Sequence, residues 1–200
     1  MTVRILAFAG SARRDSLNKK LVRVAVQAVR DAGGDVTLAD LDDYPMPVYH
    51  GDLEDASGLP ENALRLRELF LSHDALLIAS PENNGSVSAL LKNTIDWLSR
   101  GTGDGKGSNS GIAPYRGKVA ALMGATPGPW GTLYSSLPHL RHILTKLGVT
   151  IIAPQVPLPH ADEAFDENGG LRDARVLKSV QALAKSLVEI TGKLKEPKKE

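Results

Sequence analysis

Short, uninterrupted apolar runs alternate along the chain with longer stretches whose apolar residues recur every three or four positions. That alternation predicts βαβ units on a parallel sheet. The first run, Val3-Arg4-Ile5-Leu6-Ala7-Phe8-Ala9, ends at Gly10. Beyond a polar loop, Leu17, Leu21, Val22, Val24, Ala25, Ala28 and Val29 fall at helical spacing, and Gly33-Gly34 marks the stop. A second strand is predicted over Asp35 to Leu41. Asp42 to Ser57 carries Pro45, Pro47, Gly51 and several acids, and reads as an irregular crossover. A short helix follows over Asn62 to Leu71. Ala75-Leu76-Leu77-Ile78-Ala79 is apolar throughout, as a strand covered on both faces must be.

The second half continues the pattern. A polar loop, Ser80 to Ser86, leads into a helix from about Ser88 to Leu98. Residues 101–111 hold glycines at 101, 103, 105, 107 and 111 beside Ser108, Asn109 and Ser110, which predicts a mobile excursion, either a lid or a free loop. Val119 to Met123 is the fourth strand, followed by a Gly/Pro-rich loop, Gly124 to Gly131. A helix is predicted over Thr132 to Leu147, with Pro138 near its first turns or kinking it. Val149 to Ala153 is the last strand, Leu171 to Leu194 the last helix, and residues 195–200 a disordered tail.

Five strands joined by crossovers predict one domain, residues 1–194, built as a three-layer α/β/α sandwich. Right-handed crossovers favour a five-stranded parallel sheet of order 2-1-3-4-5. Ligands in such sheets sit beyond the carboxyl ends of the strands, at the switch point between the first and third. The loops leaving strands 1, 3 and 4 all emerge at that end and converge on one crevice.

Composition removes alternatives. The 200 residues are 42% apolar and 24% charged with a formal net charge of +1, so no basic field points to nucleic acid. There is no cysteine, which excludes disulfides, thiolate metal sites and cysteine nucleophiles and fits a reducing compartment. Met1-Thr2-Val3-Arg4 runs straight into a strand without the regions of a signal peptide, and no apolar run approaches the ~20 residues of a membrane span. A cytoplasmic protein without membrane attachment is expected. The histidines show no metal-ligand spacing; His139 and His142, three apart on a helix, read as a surface pair. No Gly-x-Ser-x-Gly elbow supports a serine hydrolase.

The first loop, Gly10-Ser11-Ala12-Arg13-Arg14-Asp15-Ser16-Leu17-Asn18, joins a strand to a helix start, where free N–H groups and the helix dipole attract anions. Ser11, Ser16 and Asn18 can donate hydrogen bonds, and Arg13 and Arg14 can add charge-assisted ones. The blander reading is a helix capped by Ser16 among solvated arginines. The loop has neither the Walker Gly-Lys-Ser/Thr nor the Gly-x-Gly-x-x-Gly fingerprint, which disfavours ATP, GTP and a Rossmann-bound NAD. The second loop, Pro81-Glu82-Asn83-Asn84-Gly85-Ser86, offers amides and backbone groups suited to the edge of a heteroaromatic ring; as a plain turn it would use the same residues. Trp130 in the third loop suits either ring stacking or packing.

These motifs resemble those of the NAD(P)H-dependent FMN reductase family. The first loop matches Gly-Ser-x-Arg-x-x-Ser-x-Asn through Gly10, Ser11, Arg13, Ser16 and Asn18. The second matches Pro-Glu-Tyr-Asn and Leu-Lys-Asn-x-x-Asp-Trp through Pro81-Glu82-Asn83-Asn84 and Leu91-Lys92-Asn93-Thr94-Ile95-Asp96-Trp97. Thr126-Pro127-Gly128-Pro129-Trp130-Gly131 is similar to the third, and the likeness runs from about Val3 to Leu187. It implies a flavodoxin-like fold and a bound FMN, with Ser11, Arg13, Ser16, Leu17 and Asn18 around the phosphate. Pro81, Glu82, Asn83, Asn84 and Gly85 would line the isoalloxazine ring, and Thr126, Pro127 and Gly128 would approach its pyrimidine side. Asn83 stands where the family usually has tyrosine. Asp96 and Trp97 read as anchors of a helix or a subunit contact; Arg100 would be an interface residue by the resemblance, or a plain surface one.

The activity implied is transfer of electrons from NADPH or NADH through FMN to a small acceptor: a flavin, quinone, azo compound or metal oxyanion. No protein acid or base is obligatory, because the cofactor carries the redox chemistry. A homodimer or homotetramer is implied as well. Two alternatives stand beside this reading: a flavodoxin-like electron carrier, which would be expected to show a strongly acidic docking surface, and a flavin-free domain of the same fold.

Overall fold

The computed structural model describes residues 2–130 and 132–195. In it β1 (Arg4–Ala9) is buried from Ile5 onward, and β3 (Ala75–Ala79) and β4 (Val119–Ala125) are buried at every position. Strands without an exposed face need helices on both sides. Alternate residues of each strand therefore serve two cores. Ile5, Ala7, Leu77 and Ala121 pack under α1 (Leu17–Asp31) and α6 (Ala174–Lys195). Leu6, Phe8, Leu76 and Leu122 pack under α3 (Glu61–Ser72), α4 (Ala89–Leu98) and α5 (Ser136–Lys146). With β2 (Asp35–Asp40) and β5 (Thr150–Leu158) at the edges, the sheet is parallel throughout in the order β2-β1-β3-β4-β5. This is the flavodoxin-like α/β/α sandwich and strand order that the sequence predicts.

Three segments differ from the sequence expectation, each for a physical reason. β5 continues past Pro154 and Pro157 to Leu158, with a register shift opposite Ala120 and Leu122. An edge strand tolerates prolines because one row of its N–H groups has no strand to meet. The crossover after β2 contains a helix, α2 (Gly51–Ser57), with no buried residue and hence no apolar stripe to betray it. It is held instead by Glu54, whose carboxylate accepts from Arg100 Nε and Tyr49 Oη at 2.9 Å. Lys195 is the last residue of α6 and places Nζ 2.7 Å from Asp74 Oδ2. The rest of the expected tail, residues 196–200, lies outside the described residues, as does Gly131.

Residues 101–111 follow the end of α4 and lead toward the start of β4, so they lie at the amino ends of the strands. That placement is opposite the crevice and rules out a lid over it. The buried guanidinium of Arg67, on α3, donates to the carbonyls of Leu98, Arg100, Ser108 and Ser110 at 2.5–3.2 Å. Among the described residues no helix is long and apolar enough to cross a membrane.

Candidate functional site

The first loop is tied down from three directions. Gly10 N–H donates to the Ala79 carbonyl at 2.9 Å, and the Gly10 carbonyl accepts from Ser88 Oγ at 2.6 Å. Ser88 also caps α4, accepting from Leu91 N–H at 3.1 Å. A Cβ on Gly10 would stand 3.0 Å from Leu91 and 3.2 Å from Pro81, so the close crossing of the first two loops requires glycine for space. Ser16 caps α1, its Oγ accepting from Lys19 N–H at 3.3 Å. Ser11 Oγ accepts from Arg13 N–H at the same distance. In both serines the oxygen is used as an acceptor, which leaves the hydroxyl hydrogen free to donate. The exposed guanidinium groups of Arg13 and Arg14 have no hydrogen-bond partner among the described residues, and α1 has no acid in its first turn.

Asn18 plays a larger part than a single donor. Its Nδ2 donates to the Ala125 carbonyl and its Oδ1 accepts from Ala125 N–H, both at 2.9 Å, in a buried position. One Nδ2 hydrogen remains available. The side chain therefore clamps the loop after β1 to the end of β4.

In the second loop Asn84 and Gly85 have φ of 52° and 77°, between Asn83 and Ser86, which exchange backbone hydrogen bonds. This is the two-residue turn with two left-handed residues for which Asn-Gly is the preferred pair. Glu82 braces it by accepting from Gly85 N–H. Ser86 Oγ lies 3.0 Å from His139 Nδ1 on α5. The third loop is held to the chain beyond β5: Thr126 N–H donates to Leu158, and the Thr126 and Gly128 carbonyls accept from Ala161 and His160. Trp130 is 80% exposed, so core packing does not explain it.

Together the loops enclose a crevice lined by Ser11, Arg13, Ser16, Leu17, Asn18, Pro81, Glu82, Asn83, Ala125, Thr126 and Pro127. The structure thus brings ten of the sequence-predicted residues to one place. Asn84, Gly85 and Gly128 do not line it; they shape the turn and the loop behind it. Ala125 is a lining residue that the sequence did not mark, though its place at the carboxyl end of β4 was a signal. Lys19, buried behind the first loop, was likewise missed.

The Leu91 to Trp97 motif serves the scaffold. Asn93 Nδ2 and Trp97 Nε1 both donate to the Pro47 carbonyl, at 2.9 and 2.8 Å, and Asn93 Oδ1 accepts from Tyr49 N–H at 2.8 Å. Trp97 is fully buried, and Lys92 pairs with Asp96 one turn on. The motif docks the crossover after β2 onto α4. No cluster of three or more potential metal ligands occurs among the described residues.

The family model described as NADPH-dependent FMN reductase matches residues 3–163. A NAD(P)H-dependent FMN reductase of Pseudomonas aeruginosa is 35% identical over 186 residues, which span 92% of this chain and 93% of that protein. A 2-hydroxy-1,4-benzoquinone reductase of a Burkholderia species is 30% identical over 182 residues, 90% of this chain and 92% of the relative. Among solved structures, the flavoenzyme NAD(P)H:(acceptor) oxidoreductase of Paracoccus denitrificans superposes with a TM-score of 0.79 at 28% identity, covering 96% and 98% of the two chains.

Proposed function

The chain belongs to the NADPH-dependent FMN reductase family, and from that premise we propose that its crevice holds FMN by the phosphate at the amino end of α1. The protein is an FMN-dependent oxidoreductase that draws on NAD(P)H and reduces a small acceptor. The observation that carries the site assignment is the donor set. Two serine hydroxyl hydrogens, one Asn18 N–H and the Arg13 guanidinium, unpartnered among the described residues, gather at a helix start whose first turn carries no acid. Such a set suits a phosphate dianion.

In this reading Ser11, Arg13, Ser16 and Asn18 bind the phosphate, with Leu17 against the adjoining chain. Pro81, Glu82 and Asn83 bound the ring, Asn84 and Gly85 set the turn that presents them, and Thr126 and Pro127 meet the pyrimidine side, with Gly128 shaping the loop behind them. FMN, when bound, supplies a carrier that takes hydride from NAD(P)H and returns electrons to the acceptor. The protein's residues bind and orient; none is needed as acid or base. At about 220 Å³ the crevice is small beside enclosed ligand pockets of ~300–1,000 Å³. The acceptor class favoured is a quinone, the substrate named for the Burkholderia relative.

The protein works in the cytoplasm as a homo-oligomer, a reading supported by the absence of cysteine and by Trp130, Leu133 and Tyr134, which lie exposed on the segment that follows the crevice. Purified protein should be yellow and should oxidise NADPH with a benzoquinone acceptor in steady state. Colourless protein whose melting temperature does not rise with added FMN would overturn the proposal, because a ligand of the native state must stabilise it.

A further inference from the structure

Lys19 is buried although charged, and the site described above does not use it directly. Its side chain is 9% exposed, and Nζ donates to Asp40 Oδ2 at 2.6 Å and to the Ala12 carbonyl at 3.3 Å. Asp40, at the end of β2, accepts from Asp42 N–H at 3.1 Å with its other oxygen, so it is a fixed post. The Ala12 carbonyl belongs to the peptide that continues as Arg13 N–H, and that N–H donates to Ser11 Oγ at 3.3 Å. A peptide unit is planar and trans, so holding the carbonyl on one side fixes the N–H on the other. One lone pair of Ser11 Oγ is then occupied, and its hydroxyl hydrogen is left to donate outward. A pair whose acid is 37% exposed adds little to fold stability, while ordering a lysine side chain costs rotamer entropy. The arrangement is better accounted for by what it does to the loop.

We infer that Lys19 is a positioning residue for the phosphate: it holds the Ala12–Arg13 peptide so that Ser11 and Arg13 present their donors together to the anion. The inference rests on the FMN reading above. It distinguishes Lys19 from a residue that merely stabilises the fold, because only binding of the phosphate depends on it, and riboflavin has none.

The test measures dissociation constants for FMN and for riboflavin in the full chain, by ultrafiltration of diluted holoprotein and of riboflavin-reconstituted protein. Lys19→Met should weaken FMN by at least about tenfold and riboflavin by less than about threefold. Lys19→Arg, which can still reach both Asp40 and the Ala12 carbonyl, should restore FMN to within about threefold of wild type. Equal losses for both ligands, or unchanged FMN affinity, would overturn the inference. Should Lys19→Met not fold, Asp40→Asn gives the same readout: a loss confined to FMN supports the role, and a loss shared by riboflavin or none at all sinks it. If the wild type itself binds both ligands equally, the phosphate reading has failed and the role of Lys19 falls with it.

Discussion

Asn18 and Ala125 stand 107 residues apart in the chain and exchange two hydrogen bonds of 2.9 Å. The amide of Asn18 thereby locks the first turn of α1 to the last residue of β4, and the two sides of the crevice move as one. Asn18→Ala leaves a buried N–H and a buried carbonyl of Ala125 unpaired. It should cost about 2–4 kcal/mol in urea unfolding, flavin-stripped or not, and weaken FMN besides. A variant as stable as wild type would show that the clamp is dispensable.

Arg13 differs from Asn18 in that its side chain has no partner among the described residues. Arg13→Ala should therefore leave the melting temperature of flavin-stripped protein within about 1 °C, since surface substitutions rarely matter to stability. It should weaken FMN by about 10- to 100-fold, the worth of a charge-assisted hydrogen bond, with riboflavin nearly unaffected. Parallel loss of both flavins in an equilibrium titration would remove Arg13 from the phosphate.

Arg67 holds residues 101–111 far from the crevice. Arg67→Met strips the charge that satisfies four carbonyls and should lower stability by about 3 kcal/mol. Limited proteolysis should then cut within 101–111 faster than in wild type. KM for NADPH and for a quinone should stay within about twofold, because the loop sits at the other end of the strands. A large rise in either KM would return the loop to the active site.

Lys118 gives the protein a pH signature. Its ammonium is buried, with Nζ donating to the His73 carbonyl and with Asp74 and Arg4 nearby. Burial pulls its pKa from 10.5 down to about 8, against the opposing pull of Asp74. The unfolded chain therefore holds one more proton than the folded one between about pH 8 and 10.5, and linkage makes stability rise with pH across that window. Below pH 8 the penalty for burying the charge is fully present. Lys118→Met removes the titration, so wild type should gain stability relative to the variant as pH climbs from 8 to 10.5. Parallel denaturation profiles for the two proteins would contradict this.

Much of the fold was legible because it is written locally. Apolar runs such as Ala75 to Ala79 read as strands covered on both faces, and the central strands β1, β3 and β4 followed from that rule, while β2 showed only alternate apolar residues. A cap at Ser16 and a helix start near Ser88 were both readable, and in the structure each serine caps its helix. α2 was not legible, since a helix held by a cap and an ion pair has no periodic apolar face. The site was legible to the extent that its residues lie at loop positions dictated by the strands.

The sequence by itself therefore determined the strand order, the three loops at one end of the sheet and the donors of the first loop, because periodicity, capping and crossover handedness act over a few residues at a time. Tertiary structure alone decided which of those donors are free. Asn18 turned out to be a clamp on Ala125, Lys19 a buried brace on the Ala12 carbonyl, and residues 101–111 a loop gathered by Arg67 at the opposite end. Each of these is a hydrogen bond whose partner is a backbone group. Every residue type offers the same backbone group, so no pattern of side chains could have pointed to it.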